Sequence, residues 1–332
     1  MKIAINGFGR IGRAACKIAL DKKGAQIVAI NDLTDTRTLA YMLRYDSVYG
    51  RYNKKVSYDE KNLIINGKKI PVFAEKDPAK LPWKKLGVDV VLECTGVFYK
   101  KEDLIKHVQA GAKKVVLSAP AKDDTITLVL GTELTKKNIG KNKIISNASC
   151  TTNCIAPVMQ ILESTFGVEK SIMTTIHAYT ATQRLVDGPD SKDLRRGRAG
   201  AINMAPSTTG AAKATTLVIP ELKNKFDGIA VRVPIVCGSL ADITAVLKRE
   251  VTTEQINRAF IKMSKHPMHK NILAVTGKDE ELVSTDIIGT THSAIVDLNY
   301  TRVVSGNLVK VLAWYDNEWG YSCRLIEMAL AN

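Results

Sequence analysis

The sequence predicts an α/β protein: an N-terminal doubly wound parallel sheet, followed by an α+β part built on a mostly antiparallel sheet. Three observations lead there: a glycine-rich turn between an apolar run and a helical pattern at the N-terminus, strand and helix patterns that alternate as far as Ile145, and a change after Gly167 to long β-branched segments. A chain of 332 residues with 45% hydrophobic and 24% charged residues has ordinary globular composition and is long enough for about two domains.

Residues 3–5 are the first apolar run, and Gly7-Phe8-Gly9-Arg10-Ile11-Gly12 follows as G-x-G-x-x-G. Ile11, Ala14, Ala15, Ile18 and Ala19 then recur at helical spacing. Glycines at these positions permit a tight turn and let backbone approach a pyrophosphate, which would rest on the helix N-terminus. A second strand, Ile27 to Ile30, ends at Asn31-Asp32. Asp32 stands about 20 residues after the third glycine, where a carboxylate can bind adenosine ribose hydroxyls. Further strands are expected over 88–92, 114–117, 127–130 and 143–145, with a helix over 103–110. In such a Rossmann sheet ligands sit at the carboxyl ends of the strands. Thr95-Gly96, Ser118-Ala119-Pro120 and Cys150 are therefore candidates, and cofactor and thiol would meet there.

Cys150 lies where an apolar strand end, Ile145-Ser146, runs through Asn147-Ala148-Ser149 into a helical pattern of Ile155, Val158, Met159, Leu162 and Phe166, stopped by Gly167. The first turn of a helix offers N–H donors and the positive end of the macrodipole, so a cysteine there gains thiolate character. Cys154, one turn on, reads as a small buried hydrophobe.

Beyond Gly167, strands are expected over 171–176, 229–233, 240–247, 294–298 and 308–314. A helix over 253–263 starts at a Thr-x-x-Gln box, and a terminal helix covers 318–331. His177 follows Thr174-Thr175-Ile176 at a strand end. It can accept a thiol proton, and as an imidazolium it would lower the thiol pKa further. His107, His266, His269 and His292 read more simply as surface residues. Ser207-Thr208-Thr209-Gly210 opens a helical pattern with hydroxyls and backbone donors, and Arg232 stands within an apolar strand. Anion binding is one reading of these segments; N-capping by Thr208 and a structural salt bridge of Arg232 are the other.

Lys and Arg number 48 against 33 acids, a net charge of +15. The lysines come singly or in pairs, and no aromatic stacking platform accompanies them, so nucleic acid is a disfavoured partner and small anions a favoured one. Six scattered cysteines in a chain of this size read as free thiols, and their spacing offers no metal site. No run approaches the ~20 apolar residues of a membrane span, and the N-terminus does not read as a signal peptide, so a cytoplasmic location is expected.

Side by side, INGFGRIGR at 5–13, SNASCTTNC at 146–154, HAYT at 177–180, STTGAAKA at 207–214 and WYDNEWGYS at 314–322 make the whole chain resemble the phosphorylating glyceraldehyde-3-phosphate dehydrogenase family. The resemblance implies a dinucleotide-binding domain of residues 1–148, completed by 318–332, and a catalytic domain of 149–317. It implies Cys150 as nucleophile and His177 as its partner, protonated when it holds the oxyanion. NAD would be held by Gly7, Gly9, Arg10, Ile11, Asp32, Lys76, Thr95, Ser118 and Asn317. Ser149, Thr151, Thr180, Arg195, Thr208, Thr209, Gly210 and Arg232 would hold the phosphate of glyceraldehyde 3-phosphate and inorganic phosphate. Asp32 and Pro189 resemble the arrangement that prefers NAD to NADP. A homotetramer is implied as well. The nearest rival, erythrose-4-phosphate dehydrogenase, shares GFGRIG and SCTTNC but hydrolyses its thioester; a basic nucleic-acid-binding protein is the rival of another class. Val236-Cys237-Gly238 departs from the usual pattern, with Cys237 read as a packing residue.

Overall fold

The computed structural model describes residues 1–191 and 193–331. They pack as two compact units, one of Met1–Leu128, Asn138–Ala148 and the chain from Ser322 on, the other of Val129–Lys137 and Ser149–Tyr321.

The first unit opens with β1 (Lys2–Asn6), α1 (Arg10–Asp21), β2 (Gln26–Asn31), α2 (Thr36–Arg44) and a short ladder of β3 (Tyr45–Asp46) with β4 (Gly50–Arg51). It continues through β5 (Val56–Tyr58), β6 (Asn62–Ile65), β7 (Lys68–Phe73), α3 (Trp83–Leu86), β8 (Val90–Glu93), α4 (Lys101–Gln109) and β9 (Lys114–Leu117). After α5 (Glu133–Asn138) the chain returns for β10 (Ile144–Ser146). Eight strands form one sheet in the order β10-β9-β8-β1-β2-β7-β6-β5. Pairing is parallel from β10 to β7 and antiparallel from β7 to β5. The central strands are apolar on both faces, as covered parallel strands are, with Ile3, Ala4, Ile5, Val91 and Leu92 fully buried.

Two expectations fail in this unit or at its edge. The strand over 127–130 shrinks to one bridge between Thr127 and Ser146. Just beyond it, Val129 N–H donates to Thr135 Oγ1 at 2.8 Å and Thr132 Oγ1 donates to Val129 O at 2.9 Å, so side chains take the backbone groups a ladder needs. His107 is also no surface residue: its ring is fully buried. Trp83 Nε1 donates to His107 Nδ1 at 3.0 Å, which places the ring proton on Nε2, facing Glu93 Oε2 at 3.1 Å. Glu93 in turn accepts from Asn6 Nδ2 at 2.6 Å and from Thr95 N–H at 2.8 Å. A buried carboxylate thus ties the ends of β1 and β8 to the turn at Thr95.

The second unit runs α6 (Cys150–Phe166), β11 (Val168–Ala178), β12 (Ala205–Thr208), α7 (Ala211–Val218), β13 (Phe226–Val233), β14 (Ser239–Leu247) and α8 (Thr253–Ser264). It ends with β15 (Leu273–Val275), β16 (Ala294–Val304), β17 (Leu308–Tyr315) and the start of α9 (Trp319–Leu330). Its sheet has the order β12-β13-β11-β14-β17-β16-β15. It is antiparallel except for β11 with β13 and β15 with β16. The Thr252 capping box that starts α8 is formed with Gln255. His269 is another buried histidine, its Nε2 at 3.1 Å from Gly131 O. Among the described residues, no helix is long and apolar enough to cross a membrane.

The three glycines of the first turn differ in why they are glycine. Gly7 has φ +91°, and a Cβ there would lie 2.5 Å from Thr95 N. A Cβ on Gly12 would meet Gly7 O at 2.1 Å, whereas one on Gly9 would meet nothing within 4 Å. Gly12→Ala should therefore destabilise the chain by about 1–3 kcal/mol through overpacking. Gly9→Ala should move stability by no more than about 0.5 kcal/mol. Urea midpoints of the two variants check this, and equal midpoints would mean that the loop does not close on Gly12 in this way.

Candidate active site

Between β10 and α6 the chain turns at Ala148, a non-glycine residue at φ +55°, a sparsely populated conformation of the kind that concentrates at functional sites. Ser149 caps the helix, its Oγ accepting from Thr152 N–H at 3.1 Å. Cys150 is the first helical residue and stays partly accessible, while Cys16, Cys154, Cys237 and Cys323 are buried thiols outside any disulfide. Its Sγ lies 3.4 Å from His177 Nε2 and 4.0 Å from Thr151 Oγ1. Burial pushes the Cys150 thiol up, against the pull of the Arg232 charge, the Thr151 hydroxyl and the backbone N–H groups of the first turn.

His177 comes from near the end of β11, and the parallel register sets it beside Arg232 of β13. The ring is 4% exposed. Its Nδ1 is 2.7 Å from Ala178 O and 2.6 Å from Arg232 Nη1. Burial, reinforced by the Arg232 charge, pulls His177 down to about 3. Beside an uncharged thiol the buried ring is therefore favoured in its neutral form. The fixed cation of the site is Arg232, whose Nη1 also donates to Ala178 O at 3.1 Å and which has no carboxylate within ion-pair distance among the described residues.

The sequence reading missed Tyr315. Its hydroxyl is 2.9 Å from Thr151 Oγ1 and 2.7 Å from Thr175 Oγ1, and its ring meets His177 edge-on at 6.0 Å. The signal was available as a tyrosine inside an apolar strand, since a buried phenol needs hydroxyl partners. Thr151 is thus buried and engaged with Tyr315. Ser149 Oγ also meets Thr152 Oγ1, at 2.8 Å. Asn317 is held by Ser239 Oγ, which donates to its Oδ1 at 2.8 Å. The buried Cys237 thiol donates to Asp316 Oδ1 at 3.2 Å, which gives this unusual residue a polar partner besides its packing.

The remaining anion candidates are more open. Thr208 ends β12, Thr209 Oγ1 accepts from Ala211 N–H at 3.2 Å, and Gly210 precedes α7 with no side chain capping the helix. Thr180 Oγ1 meets Thr182 Oγ1 at 3.0 Å. Arg195 N–H is tied to Asp193, with Arg195 itself in a short turn, and it is the neighbouring Arg196 whose charge acts on Arg232.

In the first unit Gly7, Gly9, Asp32, Lys76 and Thr95 line one pocket of about 430 Å³. Asp32 enters it at the end of β2, its carboxylate accepting from Phe8 N–H at 2.7 Å and Thr34 N–H at 2.9 Å. Arg10 and Ile11 begin α1, which has neither a side-chain cap nor an acid in its first turn, the arrangement that leaves a helix N-terminus to an anion. Arg10 pairs with Asp46 at 3.0 Å. Ser118, just past β9, donates its N–H to Glu93 O at 3.0 Å and is not among the residues lining that pocket.

The family model described as glyceraldehyde 3-phosphate dehydrogenase, NAD binding domain, matches residues 1–101, and that described as the C-terminal domain of the same enzyme matches residues 149–317. Similar proteins include the glyceraldehyde-3-phosphate dehydrogenases of Streptomyces coelicolor, 51% identical with 99% of this chain and 98% of the relative covered, and of Geobacillus stearothermophilus, 50% identical with 99% and 97% covered. That of Borreliella burgdorferi is 51% identical, covering 99% and 98%.

The neutral, buried His177 has a consequence for stability. The unfolded chain protonates this histidine near 6.5 and the folded chain only near 3, so between those values the unfolded state holds more protons and stability falls as the pH drops. Between pH 7.5 and 5 the native chain should lose about 2 kcal/mol more than His177→Asn, at 1.36 kcal/mol per pH step below the unfolded value. Urea unfolding at the two pH values measures it; equal losses would place the ring in a solvated setting.

Proposed function

From the premise that this chain belongs to the glyceraldehyde-3-phosphate dehydrogenase family, we propose how its residues divide the work. The chain is an NAD-dependent oxidoreductase of glycolysis that converts D-glyceraldehyde 3-phosphate and inorganic phosphate to 1,3-bisphosphoglycerate. The observation that carries the residue assignment is the Cys150 sulfur on the first turn of α6, 3.4 Å from Nε2 of a buried histidine.

In this reading residues 1–148, completed by 318–332, bind the dinucleotide and 149–317 carry the chemistry. The pocket residues fit NAD: Asp32 presents an anchored carboxylate for ribose hydroxyls, and the open space over Gly9 leaves room for a pyrophosphate at the start of α1, next to Arg10 and Ile11. Lys76, Thr95 and Ser118 complete the cofactor set, and Asn317, held by Ser239, offers its amide to the nicotinamide end. Asp32 and Pro189 disfavour the extra phosphate of NADP. When bound, NAD accepts the hydride from the aldehyde carbon.

Cys150 sulfur loses its proton to His177 and adds to the aldehyde, and the oxyanion so formed is held by the Cys150 N–H and by His177 Nε2, which then carries a proton. Loss of hydride from that adduct leaves a thioester on Cys150. Inorganic phosphate attacks it and the sulfur departs as thiolate. Ser149, Thr151, Thr180, Arg195, Thr208, Thr209, Gly210 and Arg232 serve the two phosphates, Thr151 through its backbone because its hydroxyl is engaged by Tyr315. We place the enzyme in the cytoplasm as a homotetramer. Exposed Ile172, Ile229, Val304 and Leu308 share one face of the second sheet with the Lys310–Asp242 ion pair, a mixed surface that another copy would cover.

NAD reduction with glyceraldehyde 3-phosphate should require inorganic phosphate for turnover, and Cys150→Ser should lower turnover at least ~10³-fold. Turnover at full rate by hydrolysis, or a better substrate in erythrose 4-phosphate, would move the chain to the rival activity. Gly9→Ala, which the fold tolerates, should weaken NAD affinity at least ~10-fold by crowding the pyrophosphate. Unchanged affinity in a titration would remove the pyrophosphate from that loop.

A further inference from the structure

A cavity of about 370 Å³ lies wholly within the second unit and away from the catalytic centre. Part of its wall is the C-terminal end of α6, Thr165 and Phe166, about 22 Å along that helix from Cys150 at a rise of ~1.5 Å per residue. A second part is α8, where Gln255, Arg258, Ala259 and Lys262 recur at i, i+3, i+4 and i+7 and so share one helix face. The link from β14 to α8 supplies Arg249 and Glu250.

That link is pinned at both ends: Lys248 N–H donates to Gly167 O at 3.0 Å, and Val251 N–H to Gly306 O at 2.7 Å. Between those anchors Arg249 donates from Nη2 to Thr165 O and lies over the Phe166 ring, 5.0 Å from its centroid. Its charge is thereby fixed at the C-terminal end of α6, where the helix dipole favours a cation. Arg258 and Lys262 have no such occupation. They stand at i and i+4, a spacing at which like charges destabilise a helix. Neither has a carboxylate within ion-pair distance among the described residues, and Glu254, one turn before Arg258, feels its charge without pairing with it. Glu250, the single acid of the lining, forms no ion pair with any of the three cations and lies against Gly306.

We propose that this cavity is a binding site for a small polyphosphate, held through its phosphate chain by Arg258, Lys262 and Arg249. Guanidinium forks and an ammonium round one cavity suit phosphate oxygens, and three cations against one acid call for a ligand of several negative charges. Such a ligand offsets the repulsion between Arg258 and Lys262, which no residue of the chain relieves by an ion pair. The chain of phosphates occurs free and in nucleoside triphosphates. Phe166 is the one aromatic residue of the lining and Arg249 already lies over its ring, so a base finds no stacking face there and adds little to binding. The proposal does not draw on the assignment of Cys150 and His177.

Titration calorimetry of the full chain, saturated with NAD and held at physiological ionic strength, tests it with tripolyphosphate as the probe. The native chain should show a component of one equivalent that weakens at least ~10-fold in the double variant Arg258→Gln, Lys262→Gln, which loses two charge-assisted contacts. Both side chains are exposed, so the variant should fold, and its turnover should match that of the native chain. Lys84→Gln with Lys85→Gln, which removes the same charge from the first unit, should leave the component unchanged. Adenosine triphosphate should compete for it with similar affinity. Tripolyphosphate should also raise the urea midpoint of the native chain more than that of the α8 variant. The proposal is overturned if the native chain lacks the component, if the α8 variant keeps it, or if the Lys84 and Lys85 changes weaken it equally. Adenosine triphosphate binding far more tightly than tripolyphosphate would overturn recognition through the phosphate chain. Failure of the functional reading looks different: Cys150→Ser would turn over normally while tripolyphosphate still bound.

Discussion

Parallel pairing of β11 with β13 sets His177 beside Arg232, and no acid forms an ion pair with that arginine among the described residues, so its charge acts directly on His177 and Cys150. A nearby carboxylate favours the protonated form of a histidine, and a nearby guanidinium favours the neutral one. Burial raises the Cys150 thiol and this cation works against that rise, while at the imidazole burial and the same cation both favour the neutral ring. In the proposed reaction thiolate formation therefore draws on Arg232 and the first turn of α6 as well as on the imidazole that takes the thiol proton. Tyr315 supports this arrangement from behind: its phenol engages Thr151 and Thr175, which fixes the first turn of α6 against β11.

Two of the buried histidines, His107 and His177, show how much the identity of a donor matters. At His107 a neutral indole N–H occupies Nδ1, nothing else competes for that atom in the hydrogen bonds given above, and the other nitrogen faces a carboxylate, so the ring is locked. That lock serves the fold, since Glu93 also holds Asn6 and Thr95, the residues around which the glycine turn closes. At His177 the donor on Nδ1 is a charged group on a long side chain and an acceptor lies within reach of the same atom.

Features that depend on neighbours in sequence were legible before any coordinates. The spacing of Gly7, Gly9 and Gly12, the placement of Asp32 after the second strand, and Cys150 at the start of a helix each follow from local geometry, and glycine chemistry is written in the residue type itself. Even so, sequence could not say that Gly12 answers to packing and Gly9 to open space, because that distinction lies in what surrounds a missing Cβ. Features set by register were not legible. Whether a histidine on an amphipathic helix faces water or a tryptophan, as at His107, and whether Arg195 or Arg196 acts on Arg232, depend on residues far away in the chain. The strand expected over 127–130 failed for a related reason: its apolar pattern suits a strand, but two threonine hydroxyls a few residues on capture the backbone of Val129.

Both regions proposed to bind the reaction's anions are built by omission. In the first unit α1 has a glycine, Gly9, at its N-cap, with no capping side chain or first-turn acid. In the second, α7 begins after Gly210 with no side-chain cap, and Arg232 lacks a carboxylate among the described residues. Each omission leaves a helix end or a charge less well satisfied than it could be, and an acid placed there would stabilise the fold by a fraction of a kcal/mol to about 2 kcal/mol. The same acid would then occupy the position that a ligand phosphate needs and would have to be displaced. For Arg232 a carboxylate neighbour would do more harm, since it would raise the basicity of His177 and hold the guanidinium at one place. A site that must take up and release phosphate in every cycle is better served by donors that are left partly unsatisfied in the folded protein, and the net positive charge of the chain keeps small anions near them.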